Sequence, residues 1–72
     1  MIFIFAGNFQ QAKDYARSIS MSPDDWVYLS NSYKLCGTRG STVIRIGTWD
    51  RRSDAEQMNS MIIERECCVI DA

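Results

Sequence analysis

The sequence predicts an α/β domain built on a small, mostly parallel sheet, and three observations lead to it. Apolar runs alternate with stretches of helical spacing, in the order strand, helix, strand, turn, strand, helix, with a short apolar run at the end. The first run, IFIFA at residues 2–6, is apolar at every position, as a strand covered on both faces must be. Both helical stretches open on a capping pattern, so their starting points are marked in the sequence. The expectation is a Rossmann-like α/β arrangement of three or four strands and two main helices, with strand order about 2-1-3. The first strand is placed centrally because it is the most apolar, and right-handed crossovers bring the strand–helix junctions to one edge.

From Asn8 to Ser20, Phe9, Ala12, Tyr15, Ala16 and Ile19 recur at helical spacing, while Gln10, Gln11, Lys13, Asp14, Arg17 and Ser18 fill the other face. Asn8-x-x-Gln11 is an amide version of the capping box, in which each side chain satisfies a helix-end amide. Ser22-Pro23-Asp24-Asp25 reads as a turn, with Pro23 suited to a first helical position. Trp26–Ser30 is rich in β-formers and gives the second strand. Residues 31–40, NSYKLCGTRG, are polar with two glycines and room for one helical turn over Asn31–Cys36. Ser41–Thr48 alternates and is β-branched, giving the third strand. Ser53-Asp-Ala-Glu56 is a second capping box, opening a helix with Ala55, Met58, Met61 and Ile62 on its core face. The final CCVIDA is a candidate for a short fourth strand, left open because no glycine separates it from the helix.

At 72 residues the chain reads as one domain, residues 1–72. A domain of this size buries only roughly 60% of the surface its unfolded chain exposes, so its stability is marginal. Hydrophobic residues make up 46%, including two Trp, three Tyr and three Phe, too many for a disordered segment. A net charge of −1 and a pI near 5.1 provide no bulk attraction to polyanions or anionic membranes. The three cysteines are an odd number and two are adjacent, which argues against a disulfide framework and for a reducing compartment. Histidine is absent and no CxxC spacing occurs, so neither a metal nor another cofactor is expected. MIFIFA is too short for a signal core and no stretch is long enough to cross a bilayer, which points to the cytoplasm and away from membranes.

In open α/β sheets ligands settle outside the carboxyl ends of the strands. That edge gathers Gly7-Asn8, Ser30-Asn31-Ser32 and Thr48-Trp49-Asp50-Arg51-Arg52, an assortment of amides, hydroxyls, a carboxylate and two guanidinium groups. Arg51 and Arg52 precede a helix start and Asn8 begins another, so an anion would find donors there. AGNFQQAK, however, carries one glycine and matches neither GxxxxGK[ST] nor GxGxxG, so capping is the simpler role for Asn8. Tyr33, Lys34 and Arg39 lie in the longest irregular stretch, where binding residues concentrate. Cys36 between them reads as a buried thiol sooner than a reactive one.

Strand parity leaves two readings of the aromatics. Phe3 and Phe5 would share a face with Trp26 and Tyr28, joined by Arg45, either as core or as an open stacking platform for single-stranded nucleic acid. The Met58/Met61 stripe reads as core. Without a histidine, a nucleophile–base pair or a carboxylate dyad, an enzyme is not expected.

The segments FIFAGNFQQAKDYAR (3–17), WVYLSNSYKLCGTRG (26–40) and VIRIGTWDRRSD (43–54) resemble small uncharacterised α/β proteins encoded by tailed bacteriophages. In that group a strand ends in an AGN-type turn, a second in a YxS-type motif and a third in GTW before a polar helix start. The resemblance carries no catalytic residues. It implies a phage-encoded protein acting in the host cytoplasm, and with the composition it suggests a non-enzymatic interaction protein that binds and modulates a host or phage protein. Its expected contact residues are Tyr33, Lys34, Arg39, Trp49, Arg51 and Arg52. Two other classes stay open: a nucleotide- or nucleic-acid-binding module using the carboxyl edge, and a subunit of a homo-oligomer such as a dimer.

Overall fold

The computed structural model describes residues 1–72, and its central strand is the one the sequence makes most apolar. Strand β1 (Ile2–Phe5) is followed by helix α1 (Phe9–Ser18), then by β2 (Val27–Tyr28), which follows a 3-10 turn over Pro23–Asp25. A second 3-10 turn, Ser32–Leu35, leads to β3 (Thr42–Arg45). A third, Trp49–Arg51, leads to α2 (Ala55–Glu64) and finally β4 (Cys68–Asp71). The four strands form one all-parallel sheet in the order β2-β1-β3-β4. The fold is therefore α/β with β1 inside and the 2-1-3 order, as expected, and the closing CVID segment is a strand that pairs with β3 and so places β3 inside as well.

Register decides which residues meet. Phe3 pairs with Val27 and Val43, and Ile4 pairs with Tyr28 and Ile44. One face thus carries Phe3, Phe5, Leu29 and Val43, covered by Leu35 of the second 3-10 turn and by Met58 and Ile62 of α2. The other face carries Ile4, Ala6, Ile44 and Ile46, covered by α1 through Ala12 and Ala16. Alanines at both contact positions let the α1 backbone approach the sheet closely. The aromatic face expected from parity is corrected by this register. Phe3 and Phe5 lie under α2 with Val27 and Leu29, whereas Trp26 and Tyr28 pack on the α1 side. Arg45 does share the face of Phe5, opposite which it pairs. The four aromatics therefore do not form one platform: Phe3 and Phe5 are buried in the core, and Trp26 and Tyr28 are half-buried on the opposite face. Cys36, expected to be buried, is exposed.

Both helices end alike. Ser20 (φ 58°) and Glu66 (φ 55°) take the left-handed conformation. Each follows its helix as the residue after the C-cap: Ser20 N donates to Arg17 O and Met21 N to Ala16 O, while Glu66 N donates to Ile63 O and Cys67 N to Ile62 O. This is the Schellman closure, normally made by glycine. It explains how α2 turns into β4 although no glycine separates them. The capping box expected at Ser53 does not form: α2 is preceded by Asp54, which makes no side-chain cap. The Asp54 carboxylate is held instead by Arg52, and the Ala55 amide donates to the Arg52 carbonyl.

At the far end of the sheet Arg45 fixes β4. Its Nε and Nη2 donate to the two carboxylate oxygens of Asp71, its Nη1 to Asn59 at 3.3 Å, and its guanidinium carbon lies 4.4 Å from the Trp49 ring centre.

Two measurements follow from these features. Ser20→Gly removes the Cβ penalty of the left-handed residue and is expected to stabilise the fold by about 1 kcal/mol in denaturant titrations. The Asp71 carboxyl is held below the ordinary aspartate range by its hydrogen bonds from Arg45, so it contributes stability above the unfolded-chain value and loses it as pH falls through its lower folded value. Amides of β4 should accordingly lose exchange protection as the solution is acidified below about pH 4, and Asp71→Asn should remove that pH dependence.

A candidate binding edge sealed by Gln11 and Arg52

The loops leaving the carboxyl ends of β1, β2 and β3 do converge on one edge, and two side chains tie them together. Asn8 caps α1 as expected, its Oδ1 accepting from Gln11 N at 2.9 Å. Gln11 does not return to Asn8 but reaches one residue further. Its Oε1 accepts from Gly7 N at 2.9 Å and Thr48 N at 3.2 Å, and its Nε2 donates to Thr48 Oγ1 at 3.1 Å. The side chain is thereby wedged between β1 and β3, the boundary from which the chain connections diverge and where a parallel sheet opens its ligand crevice.

The glycines here serve that close approach. A Cβ on Gly7 would stand 2.0 Å from Thr48 Oγ1, and one on Gly47, whose φ is +57°, would stand 2.4 Å from Gln11 Oε1. Gly7 therefore makes room for a side chain, as its isolation from other glycines suggests.

Arg52 seals the β1–β2 side. Its Nη1 donates to Ala6 O at 3.1 Å and Leu29 O at 2.7 Å, its Nη2 to Ser30 O at 2.8 Å, and Nε with Nη2 forks onto Asp54 at 2.9 and 2.8 Å. These five bonds engage every N–H a guanidinium possesses. The side chain is only 11% exposed and its guanidinium carbon lies 5.0 Å from the Phe5 ring centre. The expectation that Arg52 offers donors to an anion is thus corrected: three of its donors go to the strand-end carbonyls, which have no further strand to pair with, and two to Asp54.

The remaining expected residues fall into three places. Asn8, Ser30, Asn31, Asp50 and Arg51 are exposed around the sealed edge, and Arg51 makes no ion pair. Tyr33, 83% exposed, and Lys34 stand beside them on the second 3-10 turn. Trp49 is half-buried, 5.5 Å from the Phe5 ring and beneath Arg45, so it serves as a shelf for the core. Arg39 is not part of this edge. It precedes Ser41, whose carbonyl receives the Cys68 amide at the amino end of the strands, and it pairs with Glu66 at 3.5 Å.

Sequence reading missed Phe9, which is 53% exposed at the start of α1, 6.1 Å from the Trp26 ring and 5.7 Å from Tyr28. Its helical spacing marked it as inward-facing, and that spacing cannot show that the sheet ends beneath it.

The only recess, about 160 Å³, lies away from this edge, between α1 and the segment that follows it. It is lined by Lys13, Ala16, Arg17, Met21, Pro23 and Trp26. No three acidic or cysteine side chains gather as a metal site would require. Burial pushes the Cys67 thiol up, which keeps it protonated and poorly nucleophilic at neutral pH. No helix is long and apolar enough to cross a membrane.

What fold and edge define together is a small all-parallel α/β protein whose usual ligand crevice is filled by its own side chains. No protein-family model matches the chain, and neither a curated protein nor a solved structure matches it.

Removing the Arg52 fork strands three carbonyls and the Asp54 carboxylate. Arg52→Lys, which keeps the charge but has three donors on a point-like head, is expected to lower the unfolding free energy by about 2 kcal/mol. Arg52→Met should lower it by about 3 kcal/mol, read by chemical denaturation.

Proposed function

We propose that this chain is a small non-enzymatic interaction protein, encoded by a tailed bacteriophage, that binds and modulates a host or phage protein in the host cytoplasm. The observation that carries this reading is the sealed carboxyl edge with an exposed aromatic and basic rim. Gln11 and Arg52 occupy the space in which a small ligand would sit. Around them Tyr33, Lys34 and Arg51 project without engaging other side chains. Tyrosine and arginine are the residue types that most often anchor protein interfaces, because each brings a large contact area together with a polar terminus. Asn8, Ser30, Asn31 and Asp50 supply the polar surround. Of the two arginines that a nucleic-acid module would use here, Arg51 alone keeps its donors free, so the protein-partner reading is the better supported.

The test is affinity capture with the intact chain and with the Tyr33→Ala, Arg51→Ala double variant, both checked for folding by circular dichroism. The expected outcome is a specific protein retained by the wild type and depleted at least about tenfold by the double variant. Recovery of nucleic acid alone, or equal retention by both forms, would replace this reading.

A further inference from the structure

The two edges of the sheet are built differently. β2, at one edge, is two residues long and preceded by Pro23, Asp24 and Asp25, and a short strand presents few unpaired groups. β4, at the other edge, is four residues long, and all four are exposed, including Val69 at 39% and Ile70 at 46%. Its sequence, CVID, has no lysine, proline or bulge to discourage pairing.

The backbone directions along β4 are set by its ends. The Cys68 amide donates to Ser41 O and the Ala72 amide to Arg45 O, so residues 68, 70 and 72 address β3. Alternation then turns the N–H and C=O groups of Val69 and Asp71 outward, where no neighbouring strand meets them. An all-parallel sheet is normally enclosed, and a row of free donors and acceptors beside exposed apolar side chains is a template for another extended strand.

From this we propose that β4 pairs antiparallel with β4 of a second copy of this chain, across a two-fold axis normal to the sheet. Such an axis satisfies both edges at once with the same surface. It also keeps the two faces of the sheet in line, so residues that share a face lie opposite one another. One register is favoured by the chemistry. With Val69 opposite Asp71 of the second copy, and the reverse, each pair exchanges two backbone hydrogen bonds, four in all. Ile70 then lies opposite Ile70 of the second copy, in the close, non-hydrogen-bonded position, on the face where the α1 cluster takes in residues of β2, β1 and β3 and leaves Ile70 46% exposed.

The neighbouring registers are poorer. Shifting one way sets Asp71 against Asp71, with like charges opposed. Shifting the other sets Asp71 against Cys67, whose amide is already donated to Ile62. In the favoured register each Asp71 keeps its own Arg45, which neutralises it and holds the strand straight before it is met. A net charge of −1 per chain opposes association only weakly. The pairing uses a different surface from the Tyr33–Arg51 rim and does not depend on the function proposed for that rim.

The experiment is sedimentation and light scattering under reducing conditions from about 10 μM to about 1 mM, the range suited to an interface this small. It is accompanied by amide exchange at both ends of that range. The apparent mass is expected to rise from 8.3 kDa toward twice that value. Exchange at the Val69 and Asp71 amides is expected to slow at least about fivefold with concentration, and Val69→Lys should abolish both effects. A second variant set covers the case in which Val69→Lys fails to fold. With Cys36→Ser, Cys67→Ala and Cys68→Ser as background, Ile70→Cys should oxidise to a disulfide-linked dimer while Val69→Cys stays monomeric. A mass that stays at 8.3 kDa throughout, concentration-independent exchange at Val69 and Asp71, or equal cross-linking at both positions overturns the proposal.

Discussion

One guanidinium group closes the end of a sheet whose strands are too short to close it themselves. β2 contributes two residues and β1 four, so the carbonyls of Ala6, Leu29 and Ser30 lie just beyond the ladder with no strand left to bond them. Arg52 supplies donors to all three and uses its remaining pair on Asp54, the residue before α2, which makes no side-chain cap. Because those bonds cross from β1 to β2 and onward to the start of α2, the orientation of the second helix depends on the ends of the first two strands. In a domain with so little buried surface, a planar five-donor group at this junction substitutes for the longer ladders of larger α/β proteins.

Gln11 performs the matching task between β1 and β3. Its amide bonds the Gly7 and Thr48 amides and the Thr48 hydroxyl at the divergence of the chain connections, and glycine at positions 7 and 47 admits it. Together the two side chains convert a ligand crevice into a solid joint. This bears directly on function, since what stays available at this end is an exposed rim. A filled crevice with tyrosine and arginine around it is suited to a broad, shallow contact with another macromolecule.

The elements were legible because each follows from local chemistry. IFIF is apolar throughout, Asn8 caps α1, and the apolar spacing of residues 9–19 and 55–62 is helical. The convergence of the three strand-end loops also followed, since parallel strands joined by helices must deliver their carboxyl ends to one side. Other expectations failed for identifiable reasons. Trp26 and Tyr28 alternate with Val27 and Leu29, but nothing local sets the offset between β2 and β1, and a shift of one residue exchanges the faces. Ser53 and Glu56 have the spacing of a cap, yet the helix starts one residue later, after Asp54, whose carboxylate is held by Arg52. Arg51 and Arg52 are identical in the sequence, and only the position of the strand-end carbonyls separates a sealed guanidinium from a free one.

The sequence by itself determined the alternation of strands and helices, the parallel class of the sheet and the central place of β1, because propensity, capping and apolar spacing act between near neighbours. The tertiary structure decided which aromatics share a face, which arginine is structural, and that the carboxyl edge is filled while the β4 edge stays open. Those outcomes depend on groups far apart in the chain, such as Gln11 with Thr48 and Arg45 with Asp71, whose meeting is set by strand register and hydrogen-bond geometry after the sheet has assembled.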